Sequence, residues 1–413
     1  MFDTGAYFES LDMFGIRLGL EAVTELAAKA GDPQKRLRFI HLAGTNGKGS
    51  TGAMLERAFR ECGFVTGFYS SPHLIDIRER FRINGKAVGR EQFDRLGAQL
   101  AAAAGDGSYS YFEFATVLAM LIFAEAGTDI VIWETGMGGR LDATNMVTPE
   151  AAVITNIALD HQKHLGDTLA AIAGEKAGIL KPGVPLFHGV LPPEAAAVIR
   201  RRAAELACPV FPPRAAIPAA EEPGKPGFPY DGRRIVLGLP GKMQRENFRI
   251  VYEVLRYFAP KRGFDMDTAL AALARVRWPA RFQQLTPRLI VDGGHNPDGV
   301  RALSEAVQER FPHEKFTVVY AAFGDKHAEN CLPYLREIAD NFIFTSVDTP
   351  GRETFAPETL IELARGVPAT AVSGPSNAVR RALAGPRRVI VSGSLYLAGI
   401  VLADIAPEAA LDL

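Results

Sequence analysis

The residues best equipped for chemistry lie in one glycine-rich run, Gly44-Thr45-Asn46-Gly47-Lys48-Gly49-Ser50. An apolar stretch, Phe39-Ile40-His41-Leu42-Ala43, leads into it, and a helical pattern through Leu55, Ala58 and Phe59 leads out. Strand, tight turn and helix in that order make an anion cradle. Glycines let backbone N–H groups crowd round a phosphate, the helix N-terminus adds partial positive charge, and Lys48 adds a whole one. The usual phosphate loop runs Gly, four residues, Gly-Lys-Ser/Thr. Here two residues separate Gly44 from Gly47, and Gly49 is inserted after the lysine. A plain glycine turn would share the composition, but the flanking strand and helix favour nucleotide phosphate.

In open α/β sheets ligands gather at the carboxyl ends of strands. Residues 64–69 read as a strand ending in Ser70-Ser71-Pro72, whose hydroxyls suit a phosphate or Mg²⁺, or equally a plain turn. Residues 129–133 read as a buried strand delivering Glu134 beside the loop Gly136 to Asn145. A carboxylate there suits Mg²⁺ on a triphosphate. Residues 151–157 lead to Asp160-His161. A lone histidine is usually structural, yet two strand-end ligands together favour a metal role. Tyr111-Phe112-Glu113 could stack on and hydrogen-bond a flat heterocycle, though an aromatic cluster is first of all apolar area to bury. Arg17, in the glycine-broken turn Gly15-Ile16-Arg17-Leu18, reads equally as a ligand contact or a solvated charge. Lys176 reads as a solvated surface lysine.

These groups need scaffolding. Helices are expected over 1–30, 168–179, 193–206, 267–276 and from Gln244 to near Phe258, with a hairpin at Asn84-Gly85. Residues 211–230 hold six prolines and read as an exposed excursion. Beyond Gln284 strand and helix alternate afresh, with strands at 289–292, 316–320, 342–344 and 388–391. That pattern predicts a second, parallel-type α/β domain. The fold class is therefore α/β: an N-terminal, mostly parallel sheet domain of the P-loop type over 1–284, and a smaller Rossmann-like domain over 285–413.

The 413 residues carry a net charge of −1, which offers no basic field for nucleic acid or an anionic membrane. Three scattered cysteines suggest a reducing compartment and no metal cluster. The first residues lack the basic start and apolar core of a signal peptide. The apolar run 114–124 is too short to span a bilayer. A cytoplasmic protein is expected.

In order, the motifs resemble the folylpolyglutamate synthase/dihydrofolate synthase family of the Mur ligase superfamily. The matching residues are Ala43 to Ser50, Tyr69 to Leu74, Tyr111-Phe112-Glu113, Glu134 with Gly138 to Asn145, Ala158 to His161, Glu175 to Ile179, Trp278 to Arg281, and Asp292 to Pro297. The resemblance implies that the loop Gly44, Thr45, Asn46, Gly47, Lys48, Gly49 and Ser50 binds ATP, with Asn247, Arg281 and Asp292 also contacting it. It implies Mg²⁺ at two sites, held by Ser71, Glu134, His161 and a carbamylated Lys176. That last role displaces the surface reading of the lysine. It implies pteroate contacts from Gly15, Ile16, Arg17, Leu18, Tyr111, Phe112 and Glu113, and a place for His295 near the reacting groups, with Lys48, Lys176 and His295 forming the catalytic set. The implied partners are dihydropteroate or a reduced folate and L-glutamate, in a monomer acting without nucleic acid or membrane. A Mur enzyme acting on a UDP-linked peptide is the alternative within the superfamily, and a nucleotide-dependent switch the alternative outside it. Three departures stand out: His327 after Gly324-Asp325-Lys326, the 211–230 excursion, and the charged pair Arg245-Glu246.

Overall fold

The computed structural model describes residues 2–11, 19–218, 226–324, 326–349 and 352–410. The expected turn Gly15-Ile16-Arg17-Leu18 lies outside them, as does Asp325.

The apolar run before the glycine loop forms β1, Phe39–Ala43. The other strands of its sheet are β2 Thr66–Tyr69, β3 Phe81–Ile83, β4 Lys86–Ala87, β5 Ile130–Glu134, β6 Ala151–Ile154, β7 Leu186–His188 and β8 Val210–Phe211. Their order is β4-β3-β2-β5-β1-β6-β7-β8. Strands β2 to β8 along that order run parallel, and β3 and β4 are antiparallel. A parallel sheet covered on both faces needs apolar residues at every position. Alternate residues divide accordingly. Phe39, Val131 and Trp133 join the core under the helix Tyr111–Glu125, whereas Ile40, Leu42, Ile130 and Ile132 join the core under Lys48–Glu61 and Lys242–Arg262. The β3–β4 turn is the expected one, with Asn84 and Gly85 at φ 50° and 77°, the twist a two-residue hairpin prefers.

The proline-rich excursion is only partly as expected. Its ends are structural: β8 pairs with β7, and β9 (Phe228–Tyr230) pairs with β10 (Arg233–Ile235). Phe228 and Tyr230 are buried edge-to-face against Phe248 and Tyr252. Pro229 is tolerated because a two-stranded ribbon leaves its missing N–H without a required partner. The helix expected to end near Phe258 continues to Arg262, with Pro260 in its last turn.

The second sheet contains β11 Gln283–Thr286, β12 Leu289–Val291, β13 Phe316–Tyr320, β14 Ala339–Phe344, β15 Ala369–Ala371 and β16 Val389–Ser392. They run β11-β12-β16-β13-β14-β15, parallel except for β11. Strand β11 crosses the expected 284/285 boundary, because its hairpin to β12 draws Gln283 into the second sheet.

One buried polar residue in β1 gives the fold a pH signature. His41 is fully buried, with Nε2 2.9 Å from Thr144 Oγ1. Burial, then Lys181, pushes its pKa down to about 3. The unfolded chain therefore takes up this proton first, and the stability His41 contributes above its unfolded pKa is lost as pH falls below it. At pH 5 the loss is about 2 kcal/mol for an unfolded pKa near 6.5. In His41→Gln, the drop in chemical-denaturation stability from pH 7.5 to pH 5 should shrink by about that amount. An unchanged drop would remove His41 as its source.

Candidate active site

The carboxyl ends of both sheets line one cavity. From the first sheet come the glycine loop, Ser71, Glu134, Gly136 to Gly138, Asp160 and His161; from the second come Asp292 to His295, Phe323, Lys326, Ser394 and Tyr396. The hinge adds Arg281, and the helix Leu169–Ala177, between β6 and β7, adds Lys176.

The glycine loop is built as its spacing requires. Gly44 has no room for a side chain, since a Cβ there would lie 1.8 Å from Thr155 Oγ1. Gly47, at φ 84°, caps the helix Lys48–Glu61. Strand β6 stops at Ile154, short of the expected 157, because the next residues turn to hold the loop. Thr155 Oγ1 donates to Asn46 O at 2.6 Å, and Asn156 Oδ1 accepts from Asn46 N at 2.7 Å. Thr45 exchanges hydrogen bonds between its Oγ1 and the backbone of Ala158. Lys48 Nζ donates to Gly44 O at 2.9 Å, which holds the ammonium across the loop. Asn247 is buried behind Gly47 and donates to Gln244 Oε1 at 3.0 Å; Gln244 is the one that reaches the cavity wall.

Glu134 is 4% exposed and accepts from Ser71 N–H at 3.4 Å. Burial pushes its pKa up to about 7, against Lys48, the Ser71 N–H and Arg281. His161 is held at φ 51° as the residue before the helix Gln162–Leu165; its side chain keeps an exposed edge, and the desolvation it does undergo, then Lys326, lowers its pKa. Lys176 is not a surface lysine. It is 3% exposed, and burial, then Lys48, brings its pKa down to about 7 against Asp160 and Asp142. At neutral pH much of it is therefore a free amine. Among the described residues no three His, Cys, Asp or Glu side chains converge as a metal cluster. A cation beside Glu134 and His161 would need hydroxyl, water or phosphate oxygens to complete its shell, which is how Mg²⁺ is commonly held.

Asp292 is braced at the hinge: its carboxylate oxygens accept from Phe282 N at 2.8 Å and Gly294 N at 2.7 Å. Burial pushes its pKa up, against Arg281 and those two N–H groups. His295 faces the cavity with Nδ1 2.9 Å from Gly293 O. Tyr111, Phe112 and Glu113 do not line this cavity. Glu113 forms a capping box with Ser110, and Tyr111 packs on Phe8. Phe112, half-buried, abuts Gly136 on the loop after β5.

The sequence reading passed over the residue that joins the two walls. Asp160 Oδ1 accepts from Lys326 Nζ at 2.7 Å, and Oδ2 accepts from Asn296 Nδ2 at 3.0 Å. Burial opposes ionisation of Asp160, but the Lys326 ammonium outweighs it and holds the carboxyl well below the usual carboxylate range. Asn46 donates to Asn296 and Asp298, and Asn156 also donates to Asp298. The sequence signal for part of this was Asn296-Pro297, a cap followed by proline at the first helical position.

The Mur ligase middle domain matches residues 42–197, and the Mur ligase glutamate ligase domain matches residues 280–395. The chain is 37% identical over 356 residues to the dihydrofolate synthase/folylpolyglutamate synthase of Bacillus subtilis, covering 82% of this chain and 83% of that protein. It is similar in structure to Escherichia coli FolC in complex with DHPP and ADP, with a TM-score of 0.86 and 29% identity over 98% and 97% of the two chains. It is also similar to a bifunctional folylpolyglutamate synthase/dihydrofolate synthase with Mn, AMPPNP and L-glutamate bound, with a TM-score of 0.85 and 31% identity over 97% and 98%. A chain this alike in sequence along most of its length, with a matching fold and a phosphate loop facing a second α/β domain, belongs to the folylpolyglutamate synthase/dihydrofolate synthase family of Mur ligases.

Proposed function

We propose that the protein joins L-glutamate to dihydropteroate, to a tetrahydrofolate polyglutamate, or to both, at the expense of ATP. It is an ATP-dependent folate glutamate ligase, and the finer assignment rests on one observation: a phosphate loop and a glutamate-ligase wall share one cavity. A carboxylate does not react with an amine at neutral pH, so it must be activated. Attack of the pteroate or folate carboxylate on the γ-phosphate gives an acyl phosphate and ADP. The glutamate amine then displaces phosphate and leaves the amide. Lys48 and the loop N–H groups offset charge on the transferring phosphoryl. Packing of the second domain over the loop keeps water from the acyl phosphate. Pteroate recognition is assigned to Gly15, Ile16, Arg17, Leu18, Tyr111, Phe112 and Glu113, and ATP contacts to Asn247, Arg281 and Asp292 beside the loop. Near-neutral charge offers no basic field for nucleic acid, and the reading takes the protein as a cytoplasmic monomer. Among the described residues no helix is long and apolar enough to cross a membrane.

A divalent cation fits the residues present. Glu134 is a buried carboxylate whose one hydrogen bond among the described residues is long, and whose pKa burial raises despite Lys48 and Arg281 nearby. Ser71, Glu134 and His161 would hold Mg²⁺, which supplies charge neutralisation at the phosphoryl group. Lys176, buried and part neutral, suits reaction of its amine with CO₂: the N–C bond forms, a proton leaves, and a carbamate results. That turns an amine into an oxygen ligand for a second Mg²⁺.

The deciding assay is ADP release that depends jointly on L-glutamate and on dihydropteroate or tetrahydrofolate; dependence on neither pterin rejects the reading. Lys48→Ala should lower turnover about a hundred- to a thousand-fold, the size expected on removing a charge stabiliser. Protein equilibrated with ¹³C-bicarbonate should show a carbamate carbon resonance that disappears in Lys176→Ala. Identical spectra from the two proteins would leave Lys176 an unmodified amine.

A further inference from the structure

Between β2 and β3 the chain leaves the first sheet at Ser70 and returns at Phe81, which pairs with Tyr69. This strap begins with Ser71, whose N–H donates to Glu134 at 3.4 Å. Its middle crosses to the other domain, where Leu74 and Ile75 pack against the second core beside Leu395 and Tyr396. Gly399 lies within the helix Leu395–Ile405 of that domain, and a Cβ there would collide with Leu74 O. A glycine inside a helix is unfavourable unless a neighbour needs its room. Here the neighbour is the backbone of the strap.

One carboxylate shapes that strap. Glu79 is 4% exposed; its Oε2 accepts from Leu74 N at 2.9 Å, and its Oε1 from Ile75 N and Asp76 N, each at 2.7 Å. Glu79 and Asp76 form a capping box on the short turn Ile77–Arg80. The box needs only the bond to Asp76 N. The bonds to Leu74 and Ile75 go beyond it and hold the part of the strap that meets the second domain. Arg80 secures the rest: its Nε donates to His73 Nδ1 at 2.9 Å, and its carbonyl accepts from Ser70 N at 3.3 Å. Glu79 does not line the main cavity, but it shares a small cleft with Ser71, Glu134 and Arg281. It can therefore act on the cavity only through the strap.

We propose that Glu79 is a positioning residue for the cation site, holding the strap so that its seat on Gly399 sets Ser71 beside Glu134. The proposal rests on the reading of Ser71, Glu134 and His161 as Mg²⁺ ligands, and adds that the second domain completes the site through the strap. Groups that orient metal ligands without touching the metal govern affinity in this way. Three N–H groups converging on one buried carboxylate leave the strap a single shape. A shift at Leu74 is then carried to Ser71 instead of being absorbed between them.

The test reads the preference of the full chain for a metal-loaded nucleotide. The affinity of a non-hydrolysable ATP analogue is measured by calorimetry with Mn²⁺ and again in EDTA. Wild type should bind the Mn²⁺ form more tightly, and Glu134→Gln should reduce that preference. Glu79→Gln keeps the size of the side chain, but its amide leaves at least one of the three N–H groups facing a donor. There the Mn²⁺ preference should fall about tenfold, with the metal-free affinity unchanged and the Mn²⁺ EPR spectrum of the complex altered. Gly399→Ala, made in the other domain, should show the same fall. A merely structural role would weaken both forms alike. A wild-type preference in either folded variant, or equal loss of both forms, overturns the proposal and leaves the cation reading standing. If Glu79→Gln does not fold, Gly399→Ala decides alone. If wild type shows no Mn²⁺ preference, or Glu134→Gln leaves it intact, the cation reading falls and the proposal with it.

Discussion

The cavity depends on one buried carboxylate that both domains must satisfy. Asp160 leaves the first sheet beyond β6, yet its strongest partner, Lys326, belongs to the second domain; their side chains are 9% and 5% exposed. Burying a charge costs several kcal/mol unless it is paired and hydrogen-bonded. Neither domain can present its half of this pair alone without leaving a charge stranded. The pair is thus a weak source of net stability and a strong source of register, because a small slide of one sheet would break it. Asn46, Asn156, Asn296 and Asp298 extend the same logic. Through them the backbone of the phosphate loop is tied to the first turn of Pro297–Arg310 in the second domain. Arg245 and Glu309 add a bidentate pair farther along the seam, at 2.8 and 3.1 Å. Of the charged pair Arg245-Glu246 that departs from the family pattern, Arg245 thereby finds its partner across the interface, while Glu246 pairs with Arg249 on its own helix.

Burial also sets the charge state of the cavity before any ligand arrives. Both imidazoles, His161 and His295, are kept neutral, Glu134 titrates near neutrality, and Lys176 is pushed towards the free amine. Lys48 contributes to three of these shifts, in two senses: it favours the ionised form of Glu134 and disfavours those of Lys176 and His161. A triphosphate at the loop would offset Lys48 and reverse both influences. Protonation in this cavity is therefore tied to occupancy, and the groups are held where small fields move them.

The sequence made the scaffold plain and the seam obscure. Strands β1 and β5 declared themselves because both sheet faces are buried, so their apolar runs are unbroken. Glu134 and His161 could be picked out because strand ends are where ligands gather. Lys176 could not be found that way. A lysine among Gly174, Glu175, Ala177 and Gly178 carries no local sign of burial; its burial comes from helix packing against the loop after β5, where a Cβ on Gly139 would lie 2.8 Å from Glu175 O. Only the family resemblance singled it out. Asp160 was missed because its function lies in residues 136 and 166 positions away, a separation no local pattern encodes. The helix Tyr111–Glu125 shows the opposite case: its first residues resemble a ligand platform, while the local capping rule accounts for Glu113.

The irregular spacing of the glycine loop has its own physical cause. A Cβ on Gly49 would lie 2.7 Å from the indole Nε1 of Trp278 and 2.9 Å from Cε2, so the inserted glycine is where the hinge packs on the first turn of the phosphate-binding helix. Trp278 in turn stacks on Phe68 of β2, with ring centroids 5.1 Å apart. The chain then passes Ala280 at φ 53° and Phe282 at φ 46°, conformations unfavourable for residues with side chains. They are held by Ala280 N donating to Gln283 Oε1, by Gly293 N donating to Ala280 O, and by Asp292 accepting from Phe282 N. A connection determined from so many sides does not swing freely at these residues. It carries the position of the phosphate loop directly to Asp292, and from there to His295. Gly49, which lines the cavity with the rest of the loop, is therefore also the contact through which the cradle sets the opposite wall.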